Sequence, residues 1–521
     1  MLIHRQKKAI ILRLQHPEVV TTVIPTAKSF IYKGKEFVAV RHGVDEVRVL
    51  RNIGIYAPSP MEYYYDWPGH FDPFAHQIDT AGFLSLEDRA YVLNGMGTGK
   101  TLSTLWAYDY LRTSGLAHRA LVITPLSTLE TTWGSEIFTH LPHLEYVVLH
   151  GSRERRLELL KNDADIYLIN HDGIKVKGFV EALKERSDID LVIIDEIAQV
   201  ARHAGTDRFR AMTTILNKQV PRKGWGLTGT PMPNSPTDVW AQSRLLTPGK
   251  VPPYFNRFKD MVMRQVTQFV WVPRDNALDI VHEALQPSIR YSLDECIDLP
   301  PCVFETRSVD LTPQQHVAYK DMLSRLKAES EQDGGQLVAV NESVKAQKLI
   351  QIACGVGYGT NKEEVLFDAG HRMEIIRELV EEAGTKVIVF VPFVAVIHHL
   401  AKFLTSHGIS VECIYGDVSK TARDHIFHRF KKEADPKVIV AQPSAMSHGL
   451  NLTEASTIIW YAPITNNDTF EQANARIVRP GQQRTQLVVM IEGTEIERRY
   501  YKRLKEKQRV QGLLLELVQN S

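Results

Sequence analysis

The stretch Gly95-Met96-Gly97-Thr98-Gly99-Lys100-Thr101 decides how the rest of the chain is read. An apolar run, Ala90-Tyr91-Val92-Leu93, precedes it, and Leu102-Ser103-Thr104-Leu105-Trp106-Ala107 follows with helical character. Strand, glycine-rich loop and helix in that order make a phosphate cradle. Glycines let the backbone turn tightly enough for successive amides to face phosphate oxygens, and the helix N-terminus adds partial positive charge. Gly95, Gly97, Thr98 and Gly99 would line the cradle, Lys100 would reach the β- and γ-phosphates, and Thr101 would place its hydroxyl on Mg²⁺. The pattern G-x-x-x-x-G-K-[ST] is met only with Asn94 in place of its first glycine, so the flanking context carries the reading.

Working outward, the apolar run Leu191-Val192-Ile193-Ile194 ends in Asp195-Glu196, where a carboxylate can meet the cation held by Thr101. Asp195 would hold Mg²⁺ through water and Glu196 would orient or deprotonate the attacking water. Other apolar runs, Ala120-Leu121-Val122-Ile123-Thr124, Tyr146-Val147-Val148-Leu149 and Ile166-Tyr167-Leu168-Ile169, alternate with helical stretches between residues 69 and 246. That alternation predicts a mostly parallel sheet covered on both faces, with ligands beyond the carboxyl ends of its strands. Gln77, just before the first strand, offers an amide donor and acceptor to an adenine edge and is the candidate for choosing ATP over GTP. Thr228 and Thr230, in Trp225-Gly226-Leu227-Thr228-Gly229-Thr230-Pro231, would couple the phosphate site to a bound strand.

A second α/β unit is expected over 370–521, with strands at Lys386 to Val391, Val411 to Ile414, Val438 to Val440 and Thr457 to Trp460. It contains the run Gln472 to Gln482, in which Arg476 and Arg479 stand three apart and would share a helix face. Two guanidiniums so placed can approach a γ-phosphate across a cleft and neutralise charge developing during transfer. Gly449, Asn451 and Gln472 complete the candidate nucleotide contacts. The leading piece, 1–68, is β-rich, with Val19 to Ile24 and Glu36 to Val40 as strands. It is also basic, which suits duplex or junction binding and equally a solvated packing module. Residues 247–369, rich in proline, read as an inter-lobe region with helices. Glu495 to Val518 reads as a packing helix.

Bulk properties narrow the class. With 521 residues, two to four domains are expected, and 44% hydrophobic with 24% charged residues describes a globular chain. A net charge of +1 leaves nucleic-acid binding to local patches. Four cysteines without C-x-x-C spacing point to a reducing compartment and away from structural zinc. The first apolar run, Ala9 to Leu12, is too short for a signal peptide or a membrane span.

Together these motifs resemble the superfamily-two helicase ATPases, and within them the Swi/Snf-like translocases, including compact phage and bacterial versions. The resemblance runs from Phe71 to Thr494. Gln77 matches the family's adenine-reading glutamine, and Gly97, Gly99, Lys100 and Thr101 its phosphate loop. Ile123-Thr124-Pro125-Leu126-Ser127 with Trp133 and Glu136, and Asn170-His171-Asp172, are similar to its strand contacts. Leu227 to Asn234 resembles its coupling motif, Gly449-Leu450-Asn451-Leu452 and Gln472 to Gln482 its second-lobe motifs. One departure stands out: where the family reads Asp-Glu-Ala-His, this chain has Asp195-Glu196-Ile197-Ala198, so the histidine linking nucleotide state to the coupling motif is missing.

The resemblance implies two RecA-like lobes with parallel sheets beside a small N-terminal β-rich accessory domain. It implies ATP with Mg²⁺ bound between the lobes, and hydrolysis driving movement along duplex or branched DNA through sequence-independent backbone contacts. A monomer in the cytoplasm of a bacterial or phage-infected cell, at the nucleoid and working with replication or recombination proteins, completes that expectation. An RNA-directed helicase and a non-catalytic nucleic-acid-binding scaffold are the alternatives.

Overall fold

The structure is a computed structural model describing residues 1–216, 222–267, 270–296, 299–332, 339–358, 364–446, 452–479 and 481–519. Seven parallel strands form the first sheet, in the order Ser288–Ile289, Arg89–Val92, Lys223–Leu227, Ile189–Asp195, Arg119–Thr124, Ile166–Asn170 and Tyr146–Val148. Its central strands are unbroken apolar runs because both faces are covered. Trp106, Trp133 and Ile137 pack on one face, and Ile197, Phe258 and Val281 on the other. Six parallel strands form the second sheet, in the order Cys302–Ser308, Gln486–Glu492, Ala455–Trp460, Lys386–Phe390, Val438–Ala441 and Val411–Ile414.

The stretch expected as an inter-lobe region, 247–369, is divided between the two sheets. Ser288–Ile289 continues the first sheet beside Arg89–Val92, and the helix Ala277–Ala284 buries Ala277, Val281 and Ala284 in the same core. Cys302–Ser308 pairs in register with Gln486–Glu492 along the second. Each strand extends a sheet at its edge, a tertiary gain that the local sequence, punctuated by Pro287, Pro300 and Pro301, does not announce.

The N-terminal piece is a four-stranded antiparallel sheet, in the order Leu2–His4, Ala9–Leu12, Lys35–Arg41 and Lys28–Tyr32. The run expected as a strand at Val19 to Ile24 is instead a helix, Glu18–Val23. Pro17 initiates it, Thr21 Oγ1 donates back to the Pro17 carbonyl at 3.5 Å, and Val20 is fully buried against the sheet, so packing overrides the β-branched preference. The linker docks on the first lobe: Tyr65 donates to Asp109 at 2.6 Å, and the Trp67 and Trp106 rings meet edge-on at 5.4 Å.

In the second lobe a buried ion pair fixes the start of the C-terminal helix Glu495–Gln519. Arg372, on the helix Gly370–Glu382, lies 2.8 Å from Glu497, with the two side chains 2% and 0% exposed. The other Glu497 oxygen accepts from the Gly493 and Thr494 amides and from Thr494 Oγ1, at 2.8, 2.9 and 2.9 Å, so one carboxylate caps the helix and neutralises the arginine. Removing one partner strands the other charge in the core. Arg372→Leu is expected to cost about 3–5 kcal/mol, read as a fall in the denaturation midpoint. A change below about 1 kcal/mol would show that the pair contributes little.

Candidate nucleotide site

The phosphate loop bridges the Arg89–Val92 strand and the helix Lys100–Thr113. Gly97 and Gly99 hold φ of +81° and +80°. At Gly99 a Cβ would fall 2.1 Å from Gln77 Nε2, so that amide would have to swing away, while the positive φ itself favours glycine. Gln77 thus packs on the loop, while its Oε1 accepts from the Phe74 amide at 3.0 Å. Thr98 Oγ1 donates to the Gly95 carbonyl at 2.8 Å, and the His76 ring lies 2.9 Å from the Thr98 carbonyl. Lys100 Nζ turns back onto the loop, donating to the Asn94 and Gly95 carbonyls at 3.0 Å each. Burial lowers its pKa, against the pull of Glu196 and Asp195. Thr101 lies half-buried in the first turn of the helix.

Asp195 closes the Ile189–Asp195 strand, and three donors fix its carboxylate. Thr124 Oγ1 and Trp133 Nε1 donate to one oxygen at 2.9 and 3.0 Å, and the Glu196 amide donates to the other at 3.1 Å. His171 reaches the Asp195 carbonyl at 2.9 Å. Glu196 takes the left-handed conformation, φ 51° and ψ 48°, which turns its side chain out of the strand path. Its Oε2 is buried with no hydrogen-bond partner among the described residues. Burial, then the carboxylates of Asp468 and Asp195, push its pKa up to about 8, with Lys100 and Arg476 opposing.

The second lobe brings its arginines to the same cleft, though not on a helix. The helix Asn467–Asn474 stops before Arg476. Three-residue turns replace it, with Arg476 N donating to Ala473 O and Ile477 N to Asn474 O, both at 3.3 Å, and the Arg476 carbonyl is taken by the Leu452 amide at 3.1 Å. Arg476 and Arg479 therefore sit in the turn after the helix. Arg476 is 2% exposed. Burial and Arg479 hold its pKa well below the usual range, while Glu196 pulls it upward. Burial brings Arg479 down to about 10, and its Nε donates to the Ala475 carbonyl at 2.8 Å. Gln472 is buried and donates to Asp468 at 3.0 Å. Gly449 and Asn451 lie outside the described residues.

Sequence reading missed two contributors. Arg290 donates to the Leu93 and Tyr291 carbonyls at 3.0 and 2.6 Å, and Tyr291 accepts from the Gly95 amide at 2.7 Å while its hydroxyl donates to Asp79 at 2.7 Å. No motif marks this pair; it arrives with the edge strand Ser288–Ile289. The other is Asp468, whose spacing of four from Gln472 on one helix was the available signal. Arg290 and Arg479 both act on Lys100, and Arg479 on Arg476, so like charges gather where the loop amides end. A polyanion such as a triphosphate fits that gathering, because it relieves the mutual repulsion of the cations.

Phosphate loop, paired carboxylates and arginines across one cleft define a two-lobed, helicase-type enzyme that hydrolyses ATP. Residues 82–354 match the SNF2-related domain and residues 371–481 the helicase conserved C-terminal domain, and the chain belongs to the SNF2-related family. Protein p41 of Acyrthosiphon pisum secondary endosymbiont phage 1 is 26% identical over 406 residues, covering 75% of this chain and 84% of that protein. The ISWI chromatin-remodeling complex ATPase ISW2 of Saccharomyces cerevisiae is 24% identical, covering 85% of this chain and 40% of its own length. Protein CHROMATIN REMODELING 5 of Arabidopsis thaliana is 24% identical over 85% of this chain, which spans 27% of it. A Sulfolobus solfataricus SWI2/SNF2 ATPase core solved in complex with dsDNA aligns over 87% of this chain and 96% of its own, with 23% identity and a TM-score of 0.41. Among the described residues no helix is long and apolar enough to cross a membrane.

Proposed function

We propose that the chain is a DNA-stimulated ATPase that translocates on duplex DNA and remodels forks, branched DNA or protein-DNA complexes in a bacterial or phage-infected cell. The observation that carries this reading is the meeting of Lys100 and Glu196 from one lobe with Arg476 and Arg479 from the other. Gln77, Gly95, Gly97, Thr98, Gly99, Gly449, Asn451 and Gln472 contact the nucleotide, and Lys100 holds its terminal phosphates. Glu196 takes the proton of the attacking water, and the two arginines neutralise charge as it develops. Thr101 and Asp195 would hold Mg²⁺, which would supply charge neutralisation when bound. The oxygens of Asp195 are already oriented by Thr124, Trp133 and the Glu196 amide, as a metal-holding carboxylate requires.

A second cleft supports the DNA reading. Its cavity of about 380 Å³ is lined by Pro125, Leu126 and Ser127 of the first lobe and by Lys420, Arg423 and Asp424 of the second. Two cations beside one carboxylate on one wall and the strand-contacting stretch on the other suit a phosphodiester backbone. Relatives named for chromatin remodelling favour DNA over RNA. At the N-terminus, Phe30, Ile31 and Tyr32 are exposed on a hairpin carrying Lys28, Lys33 and Lys35, a basic and aromatic edge suited to junctions. The decisive experiment measures ATP hydrolysis with duplex DNA, single-stranded DNA and RNA in turn. Duplex DNA is expected to stimulate most, and stimulation by RNA alone would reject the reading. Deleting residues before Pro68 is expected to weaken fork binding while hydrolysis on linear duplex persists.

The carboxyl of Glu196 also fixes a pH dependence. With its pKa pushed up to about 8 by burial, the free enzyme holds it protonated at neutral pH, and only the ionised form accepts a proton from water. kcat/KM for ATP should therefore rise from pH 6 to 9 with a midpoint near 8, because that ratio reports the free enzyme. A profile flat across this range would remove Glu196 from the role of base.

A further inference from the structure

We propose that Asp468 is a positioning residue through which the second lobe controls the hydrolysis centre, serving where Ala198 replaces the histidine of the related Asp-Glu-Ala-His motif. This rests on the ATPase reading above and names a residue that reading does not use. Asp468 lies in the first turn of the helix Asn467–Asn474 and is 3% exposed. Among the described residues three donors reach it, two of them from the opposite lobe: Thr230 Oγ1 donates to Oδ1 at 2.7 Å and Gln199 Nε2 to Oδ2 at 2.9 Å. The third, Gln472 Nε2, donates to Oδ1 at 3.0 Å from its own helix, one turn before Arg476.

Each cross-lobe bond continues into the catalytic strands. The Thr230 amide donates to Thr228 Oγ1 at 3.1 Å, and the Thr228 amide donates to the carbonyl of Val92, the last residue of the strand that feeds the phosphate loop. On the other route the Gln199 amide donates to the Glu196 carbonyl at 2.9 Å. Opening the cleft must break both cross-lobe bonds at once and leave water to replace two of the carboxylate's donors. Closure therefore sets the loop and the Glu196 backbone together, a two-state contact that both lobes bias.

The test compares Asp468→Ala, Asp468→Asn, Thr230→Val, Gln199→Met and the Asp468→Ala/Thr230→Val pair in the full chain, with duplex DNA. For Asp468→Ala, kcat should fall by about tenfold or more while KM for ATP stays within about threefold, the split expected of a group acting on the transition state rather than on binding. The double variant should be no worse than the poorer single, because both remove one link. Asp468→Asn, whose amide oxygen can still accept from Thr230, should recover part of the kcat lost in Asp468→Ala. Should Asp468→Ala fail to fold, Thr230→Val and Gln199→Met carry the test, since both leave Asp468 in place. Wild-type kcat in the folded variants, or an additive double variant, overturns the proposal. A wild-type chain that fails to hydrolyse ATP with duplex DNA, single-stranded DNA or RNA would instead overturn the ATPase reading on which the proposal rests.

Discussion

Lys100→Ala is expected to lower kcat for ATP hydrolysis by about 10²- to 10³-fold and to weaken nucleotide binding with it. The lysine is buried beside Glu196 and Asp195, so its removal takes away a cation that, with Arg476, offsets Glu196 as a polyanion arrives. It also deletes the two bonds by which Nζ holds the Asn94 and Gly95 carbonyls, loosening the loop before any nucleotide arrives. Steady-state hydrolysis and a fluorescent-nucleotide titration read the two effects separately. Turnover within threefold of wild type would refute the phosphate-loop role of Lys100.

Glu196→Gln separates chemistry from binding. Glutamine has the volume of glutamate but no basicity, so nucleotide should still bind while hydrolysis drops by about 10²- to 10⁴-fold, the range for loss of a general base. The same variant has a stability signature with a definite sign. The folded state raises this carboxyl from 4.5 to about 8, so it binds the proton more tightly than the unfolded chain does. The resulting stability is complete below about 4.5 and is lost as pH rises through about 8. Wild type should therefore lose more of its denaturation midpoint between pH 5 and 9 than Glu196→Gln does. Equal losses would mean that Glu196 does not titrate in this window.

Parts of the molecule that depend on neighbours in sequence were legible in it. The phosphate loop, with its strand before and helix after, and the acidic pair at the end of an apolar strand are set by residues within a few positions of each other. The two parallel sheets follow from unbroken apolar runs for the same reason. What was hidden depends on distant partners. Ser288–Ile289 and Cys302–Ser308 are strands because a sheet edge waits for each, and Glu18–Val23 is a helix because Val20 has a pocket to fill. Arg476 and Arg479 leave the helix because the Leu452 amide claims the Arg476 carbonyl. The spacing of Asp468 from Gln472 hinted at a shared role, but its cross-lobe partners were hidden, because Thr230 and Gln199 lie 238 and 269 residues away in the chain.

The backbone at Glu196 carries a consequence for anyone who engineers this chain. A residue with a side chain held at φ 51° gives up about 1–2 kcal/mol that glycine would recover. Screens that reward yield or heat resistance alone would therefore drift toward glycine at this position and collect well-behaved, inert protein. The chain tolerates local discomfort in exchange for a carboxylate, so any search for sturdier variants must keep turnover in its scoring.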